Sequence, residues 1–460
     1  LLHFNRLSVL LGNLLSEIPI ASRNSMFVTP VSVGILGQLL ELNREINYIV
    51  ARSPYNTDPS GMDPQPPVWE SLKRLLFGQV VIFQEILTAC MHDNESNNIL
   101  YLDVSLLLLH NMYYLHFVLL SIGSGGFESY NFVYYFVLDI AMSTKERFQL
   151  LTERLMFDYQ EFNFFLLKND YVMRSKATFV LGLWENYVKH GSPEFTEKMA
   201  RISFDIALQG ASSSLVEAAH LVLLAIFGQT RSDISEITSY MSLLFRQFPM
   251  ILSSAQLSIA METLGKSVLN PNEHDPDEES ISKFLNLLFE RCHHEVSGRS
   301  VSLPSVRESS MLLSAQPVAE VEANSTLSHL DVKGESGLKD LVDVNEHKDT
   351  PKNTIPKVLA KHFGPKSSKH GPEYIFENRL TPETTRGAYI YSLVNVVPYT
   401  PLGIFRSVLG QILGLIDESD PNERQFLLKI FWKVLSENLD LNRAAVAYEW
   451  WYESEKLTKL

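Results

Sequence analysis

Four short runs in this chain carry residue types that do chemistry in other proteins, and their spacing decides what each can do here. Gly265-Lys266-Ser267 has the ending of a phosphate-binding loop, in which backbone amides cradle phosphates and a lysine neutralises them. That loop needs a first glycine at position 260, where Ala260 stands, and a preceding strand that the local pattern does not supply. Gly123, Gly125 and Gly126 lack the spacing of a dinucleotide cradle and follow an apolar helical run, so a turn is expected. Cys292-His293-His294 are sequence neighbours, and neighbouring helical positions point to different faces instead of converging on a metal. They are expected as exposed polar residues at a helix end. The 13 histidines are scattered and no nucleophile elbow is present, so no catalytic residue, cofactor or metal ligand is nominated and the chain reads as non-enzymatic. Asn94-Glu95-Ser96 and Asn324-Ser325-Thr326 match glycosylation acceptors, which matter only in a secreted protein.

The fourth run is the C-terminus, and its chemistry is recognition. Thr458-Lys459-Leu460 combines a small residue, a basic one and a terminal leucine, the form of the receptor-read peroxisomal address. A groove can hold the free carboxylate, bury the leucine and pair the lysine, while a small third residue avoids a clash. Lys456 adds favourable charge, and threonine fits less well than serine or alanine. The alternative is a frayed helix end that finishes in Lys-Leu. Just upstream, Trp450-Trp451-Tyr452 has two readings. The favoured one anchors a last helix on the core; the other makes the three aromatics docking anchors for a partner.

Elements must position these groups, and the patterning is helical throughout. Apolar residues recur at helical spacing in Phe195, Met199, Ile202 and Ile206, in Ile234, Ile237, Met241, Leu244 and Phe248, and in Ile281, Phe284, Leu285 and Leu288. The same period runs through Phe405, Val408, Leu409 and Ile412 and through Leu427, Ile430, Phe431 and Val434. Helix starts are predicted at Ser192-Pro193, Thr381-Pro382, Thr400-Pro401 and Asp420-Pro421, where a capping residue precedes a proline that preorganises the first turn. Ser214 with Glu217 suggests a capping box, and Gly210, Gly228 and Gly265 suggest left-handed helix ends. Between about Ser192 and Phe289 helix pairs recur at roughly 40 residues, the unit length of helical-repeat solenoids. The expected fold is therefore all-α, an irregular HEAT/armadillo-like solenoid, with an irregular bundle as the alternative.

The expected organisation is N-terminal helices over 1–50, a loop with five prolines over 51–67, a helical solenoid over 68–293, a disordered linker over 294–372, C-terminal helical pairs over 373–453 and an exposed tail over 454–460. Within the linker a short helix is possible over Leu338 to Val344, and Lys352 to Lys369 is locally basic. The sequence opens on Leu1 inside an apolar helical pattern with no initial Met, so the start of the protein is expected to lie upstream. Val104 to Phe127 contains no Lys, Arg, Asp or Glu and has the length of a bilayer crossing, but His110, Asn111 and His116 suit a buried core helix better. With 39 basic against 53 acidic residues the net charge is -14, which argues against nucleic acid and for protein partners. Two cysteines, Cys90 and Cys292, make neither a disulfide framework nor a thiolate zinc site.

Two blocks add a resemblance. Ile122-Gly123-Ser124-Gly125-Gly126-Phe127-Glu128-Ser129-Tyr130-Asn131-Phe132-Val133-Tyr134, and Phe431-Trp432-Lys433-Val434-Leu435-Ser436 leading to Glu449-Trp450-Trp451-Tyr452 and the tripeptide, are similar in order and spacing to the fungal intraperoxisomal import factors, the peroxin eight family. The resemblance covers roughly Leu100 to Leu460. It implies a non-enzymatic protein held peripherally on the luminal face of the peroxisomal membrane. It also implies that this protein joins the receptor-docking complex to the RING-finger complex, binds the cargo receptor for C-terminal signals and helps release cargo. A second-type signal of that family, Arg-Leu, five residues, His or Gln, then Leu or Ala, is matched by Arg6, Leu7 and Leu14 but not by Asn13, so that stretch is read as an ordinary amphipathic helix. Two other readings remain: a cytosolic helical-repeat adaptor in trafficking, and a peroxisomal matrix enzyme of unknown chemistry.

Overall fold

Local signals place most helices, and packing across the sequence decides how they assemble. In the computed structural model the described residues are 28–59, 65–91, 98–123, 126–157, 164–210, 212–229, 233–269, 278–294 and 384–453, with a few single positions. The expected linker helix, the basic stretch and the tail over 454–460 lie outside them. Among the described residues sixteen α-helices follow in order: α1 (Val28–Ala51), α2 (Pro67–Met91), α3 (Asn98–Leu120), α4 (Glu128–Met142), α5 (Lys145–Phe157), α6 (Phe164–Asn169), α7 (Tyr171–Tyr187), α8 (Pro193–Gln209), α9 (Ser213–Phe227), α10 (Ile234–Gln247), α11 (Ser254–Leu269), α12 (Glu278–His294), α13 (Thr385–Val396), α14 (Leu402–Asp417), α15 (Pro421–Glu437) and α16 (Leu441–Glu453). No strand occurs among the described residues.

Helix ends follow the caps, with instructive exceptions. Ser192 caps α8, its hydroxyl accepting from the Phe195 amide, with Pro193 in the first turn and Gly210 left-handed at the far end. Pro421 opens α15 behind Asp420, whose side chain makes no cap bond. The other two predicted starts shift. α13 begins at Thr385, capped by Thr384 through the Gly387 amide at 2.9 Å, three residues past Thr381-Pro382. α14 begins after Pro401 with no side-chain cap from Thr400. Nor is Ser214 a cap: Ser212 caps α9, and Glu217 accepts from Gln256 instead. The reciprocal box lies at α11, where the Ser253 amide donates to Gln256 Oε1 at 2.8 Å and the Gln256 amide donates to Ser253 Oγ at 3.2 Å. Gly228 ends α9 in right-handed geometry.

Packing runs through alternate helices. α3 lies against α1, α2, α4 and α7; α7 packs on α9, α9 on α11, α11 on α13 and α13 on α15. All belong to one compact unit with a continuous apolar core from Leu36 to Trp451. The charge-free run forms most of α3, which is long and apolar enough to cross a membrane but is largely buried among these neighbours. Its polar residue Asn111 has partners: Asn43 donates to Asn111 Oδ1 at 2.9 Å and to Gln79 Oε1 at 2.8 Å, while Asn111 donates to the Leu36 and Leu107 carbonyls. A buried amide cluster with its bonds made holds α1, α2 and α3 in one register.

The helices before and after residues 295–383 form one core. α13 is buried on nearly every side. It meets α11 closely because Gly265, expected at a helix end, sits inside α11, where a Cβ would stand 2.9 Å from Val396 Cγ1. Asn395 donates to Ser258 at 2.6 Å and Tyr399 to Glu262 at 3.1 Å along the same contact. Buried Arg386 donates to the Cys292 carbonyl at 3.2 Å, to the Leu415 carbonyl at 3.2 Å, to Ser419 Oγ at 3.1 Å and to Glu418 Oε2 at 3.1 Å. One guanidinium thereby serves the last turns of α12 and α14, whose carbonyls have no partner within their own helices. Buried Glu423 accepts from the Thr384 hydroxyl at 2.6 Å, against Gly387, which leaves it room.

Candidate functional site

The C-terminal helix that leads to the predicted address is built from its caps inward. Asp440 accepts from the Arg443 amide at 2.9 Å, and this backbone bond with the adjacent guanidinium holds its carboxyl below the ordinary range. Arg443 donates onward to the Thr400 carbonyl at 2.8 Å, tying the start of α16 to the approach of α14. At the other end Arg406 of α14 pairs with Glu453. Between them Trp450 and Trp451 turn inward and Tyr452 outward. Trp451 packs on Trp432 with ring centroids 4.9 Å apart, and Phe431 meets both indoles edge-on. Trp451 is fully buried and Tyr452 is 63% exposed. The favoured core role fits the two tryptophans, which have little surface to offer a partner; of the three suggested docking anchors Tyr452 alone faces solvent. Thr458, Lys459 and Leu460 lie outside the described residues.

The upstream block turns the chain between α3 and α4. Gly123 and Gly126 both have positive φ, +135° and +59°, conformations that favour glycine. This turn delivers Phe127 onto Phe77 of α2, with ring centroids 4.3 Å apart, and buries Tyr130. Gly123 and Gly126 thus shape the turn between α3 and α4.

The titratable groups with strongly shifted behaviour are structural. Cys292, expected to be exposed, is buried beneath α13, and burial pushes its thiol up to about 12, far from a reactive thiolate. His220 is held at about 4 by burial. Its Nδ1 lies 2.9 Å from the Tyr240 hydroxyl and its Nε2 2.7 Å from Gln247 Oε1. Since Gln247 Nε2 donates to the Ala207 carbonyl, its oxygen must accept from Nε2–H, leaving Nδ1 to accept from Tyr240. Both nitrogens are thus used in joining α8, α9 and α10. His116 is held at about 3 by burial. Lys266 and Ser267 continue α11, a helix interior and not a phosphate loop. Among the described residues no three His, Cys, Asp or Glu side chains gather as a metal would require. Arg386, Glu423, Asn43 and Gln79 were not singled out in the sequence, and Asn111 was read only as a polar residue suited to a buried helix. Their one signal is a polar residue inside an otherwise apolar helical run, which does not tell a tertiary tie from an exposed position.

Comparison with known proteins completes the picture. The PEX8 helical domain matches residues 1–129, and the PEX8 C-terminal domain matches residues 232–319 and 371–458. The second match skips residues 320–370, which lie within the interval across which α11 and α12 pack on α13. The chain is 24% identical over 427 residues to Peroxisomal biogenesis factor 8 of Komagataella phaffii, covering 85% of this chain and 53% of that protein. It is 24% identical over 414 residues to the protein of the same name in Pichia angusta, covering 85% and 52%. It is 22% identical over 428 residues to Peroxisomal membrane protein PEX17 of Yarrowia lipolytica, covering 86% and 53%. The chain thus spans about half the length of these relatives. No solved structure matches it. Two domain matches on either side of residues 130–231, in the order in which the helices build one core, show that the chain belongs to the PEX8 family.

Proposed function

We propose that this chain is a non-enzymatic scaffold for protein import into the peroxisomal matrix. In this reading it sits peripherally on the luminal face of the membrane, bridges the receptor-docking and RING-finger complexes, binds the cargo receptor through Thr458, Lys459 and Leu460, and aids cargo release. Membership of the PEX8 family carries the reading. The row of alternate helices supports it as an irregular helical-repeat solenoid, an architecture that offers extended surface to several partners at once. The helices over 68–293 and 373–453 supply that surface and 454–460 the free tail. Removing Thr458 to Leu460 from the full protein stripped of other signals is expected to leave it cytosolic and to weaken its binding to the cargo receptor. Unchanged sorting and binding would remove the tail from the mechanism. Affinity capture from peroxisomal membranes tests the bridge: docking and RING-finger subunits should be recovered together, and recovery of one set alone would contradict it.

A further inference from the structure

α13 has no side to turn to water. It runs Thr385-Arg386-Gly387-Ala388-Tyr389-Ile390-Tyr391-Ser392-Leu393-Val394-Asn395-Val396, and every residue except Asn395 is buried. A helix that is apolar around most of its circumference needs cover on all sides. That cover comes from two directions along the chain: α14 and α15 follow α13, while α11 and α12 precede residues 295–383. Tyr389 meets Phe245 of α10 and the next residue but two, Phe248, edge-on, with ring centroids 5.5 and 5.4 Å apart. At the far end of α13, Val396 closes on Gly265 of α11, where a side chain would have no room. Polar ties complete the joint: Asn395 donates to Ser258 at 2.6 Å, Tyr399 to Glu262 at 3.1 Å and Arg386 to the Cys292 carbonyl at 3.2 Å. Each of these contacts joins a residue before 295 to one after 383, and none uses a residue in between.

A closely packed apolar centre with hydrogen bonds around it has the make-up of an obligate interface between two proteins. A covalent tether raises the effective concentration of the two sides but adds no contact of its own. The PEX8 C-terminal domain matches both sides of this joint and skips residues 320–370. We propose that α10, α11 and α12 form a docking surface for the segment α13–α16 that works without the covalent link, so that a chain cut between residues 320 and 370 remains one two-part assembly. The residues after α16, with the predicted address at Thr458, Lys459 and Leu460, then stay with the first part of the chain through α13 and not through the backbone. This joint does not depend on the import reading.

The test uses the whole chain with the recognition sequence of a site-specific protease inserted after Val344. The purified protein is cut, and its mass in native buffer is followed over a dilution series. The two pieces are expected to remain one particle down to about 1 μM or below. Gly265→Val, which sets a side chain against Val396, should raise the concentration at which the cut pieces separate by at least about tenfold. Asn395→Ala, at the one position of α13 that is not buried, should raise it about fivefold and keeps the test open if Gly265→Val fails to fold. Leu441→Ala, at a residue 90% exposed, should leave it unchanged. Amide exchange in α3 is read in parallel, so that loss of docking is told apart from loss of the fold. Separation of the unsubstituted cut pieces above about 1 μM, or separation no more sensitive to Gly265→Val and Asn395→Ala than to Leu441→Ala, would overturn the proposal.

Discussion

Replacing Arg386 separates two accounts of how the helices on either side of residues 295–383 are held together. If its ion pair with Glu418 matters most, losing either partner should cost about the same. The geometry says otherwise. Glu418 is 58% exposed and stays hydrated when unpaired, so Glu418→Gln should cost less than about 1 kcal/mol. Arg386→Met removes the donor to the Cys292 carbonyl, leaving a buried helix-end acceptor without a described partner at about 1–3 kcal/mol. It also removes a donor to the Leu415 carbonyl, which keeps the Ser419 hydroxyl, so that loss adds only about 1 kcal/mol. The sum is about 2–4 kcal/mol. Arg386→Lys keeps the charge, but a single ammonium cannot reach both helix ends, so it should lose at least about 2 kcal/mol. A chain of this length need not unfold in two states, so the readout is hydrogen exchange of amides in α12, α13 and α14, with urea midpoints as support. Opening of α13 in Glu418→Gln as large as in Arg386→Met would refute carbonyl capping and restore the ion pair as the tie.

Other consequences are equally direct. His220, neutral in the fold at about 4 against about 6.5 unfolded, contributes stability that is full above pH 6.5 and lost as pH falls toward 4, amounting to about 2 kcal/mol by pH 5. His116, at about 3, acts with the same sign and a similar size at pH 5, so His220→Phe should flatten about half of the fall between pH 7 and 5 in calorimetric scans. Gly265→Ala should cost about 1–3 kcal/mol by pressing on Val396, and Val396→Ala should restore most of it in chemical denaturation. Trp451→Ala should lose about 3–5 kcal/mol while Tyr452→Ala stays within about 0.5 kcal/mol, and equal thermal shifts would contradict the inward and outward assignment.

What the sequence determined by itself is what depends on neighbours within a few residues. Helical periods placed Phe195, Met199 and Ile206, Phe405 and Leu409, and Phe431 and Val434 on buried faces, because every turn returns a side chain to the same side whatever lies opposite. Ser192-Pro193 and Gly210 bounded α8 because capping and left-handed geometry are local chemistry. The two family-like blocks were legible for the same reason, as runs of residues in order. Tertiary structure decided the rest. Whether Gly265 ends a helix or admits Val396, whether Ser212 or Ser214 caps α9, and whether Cys292 is exposed or lies under α13 depend on which surfaces meet. Arg386 and Cys292 are brought together across 94 positions. Such contacts join residues whose spacing along the chain carries no period, so they emerge only from the path of the whole core.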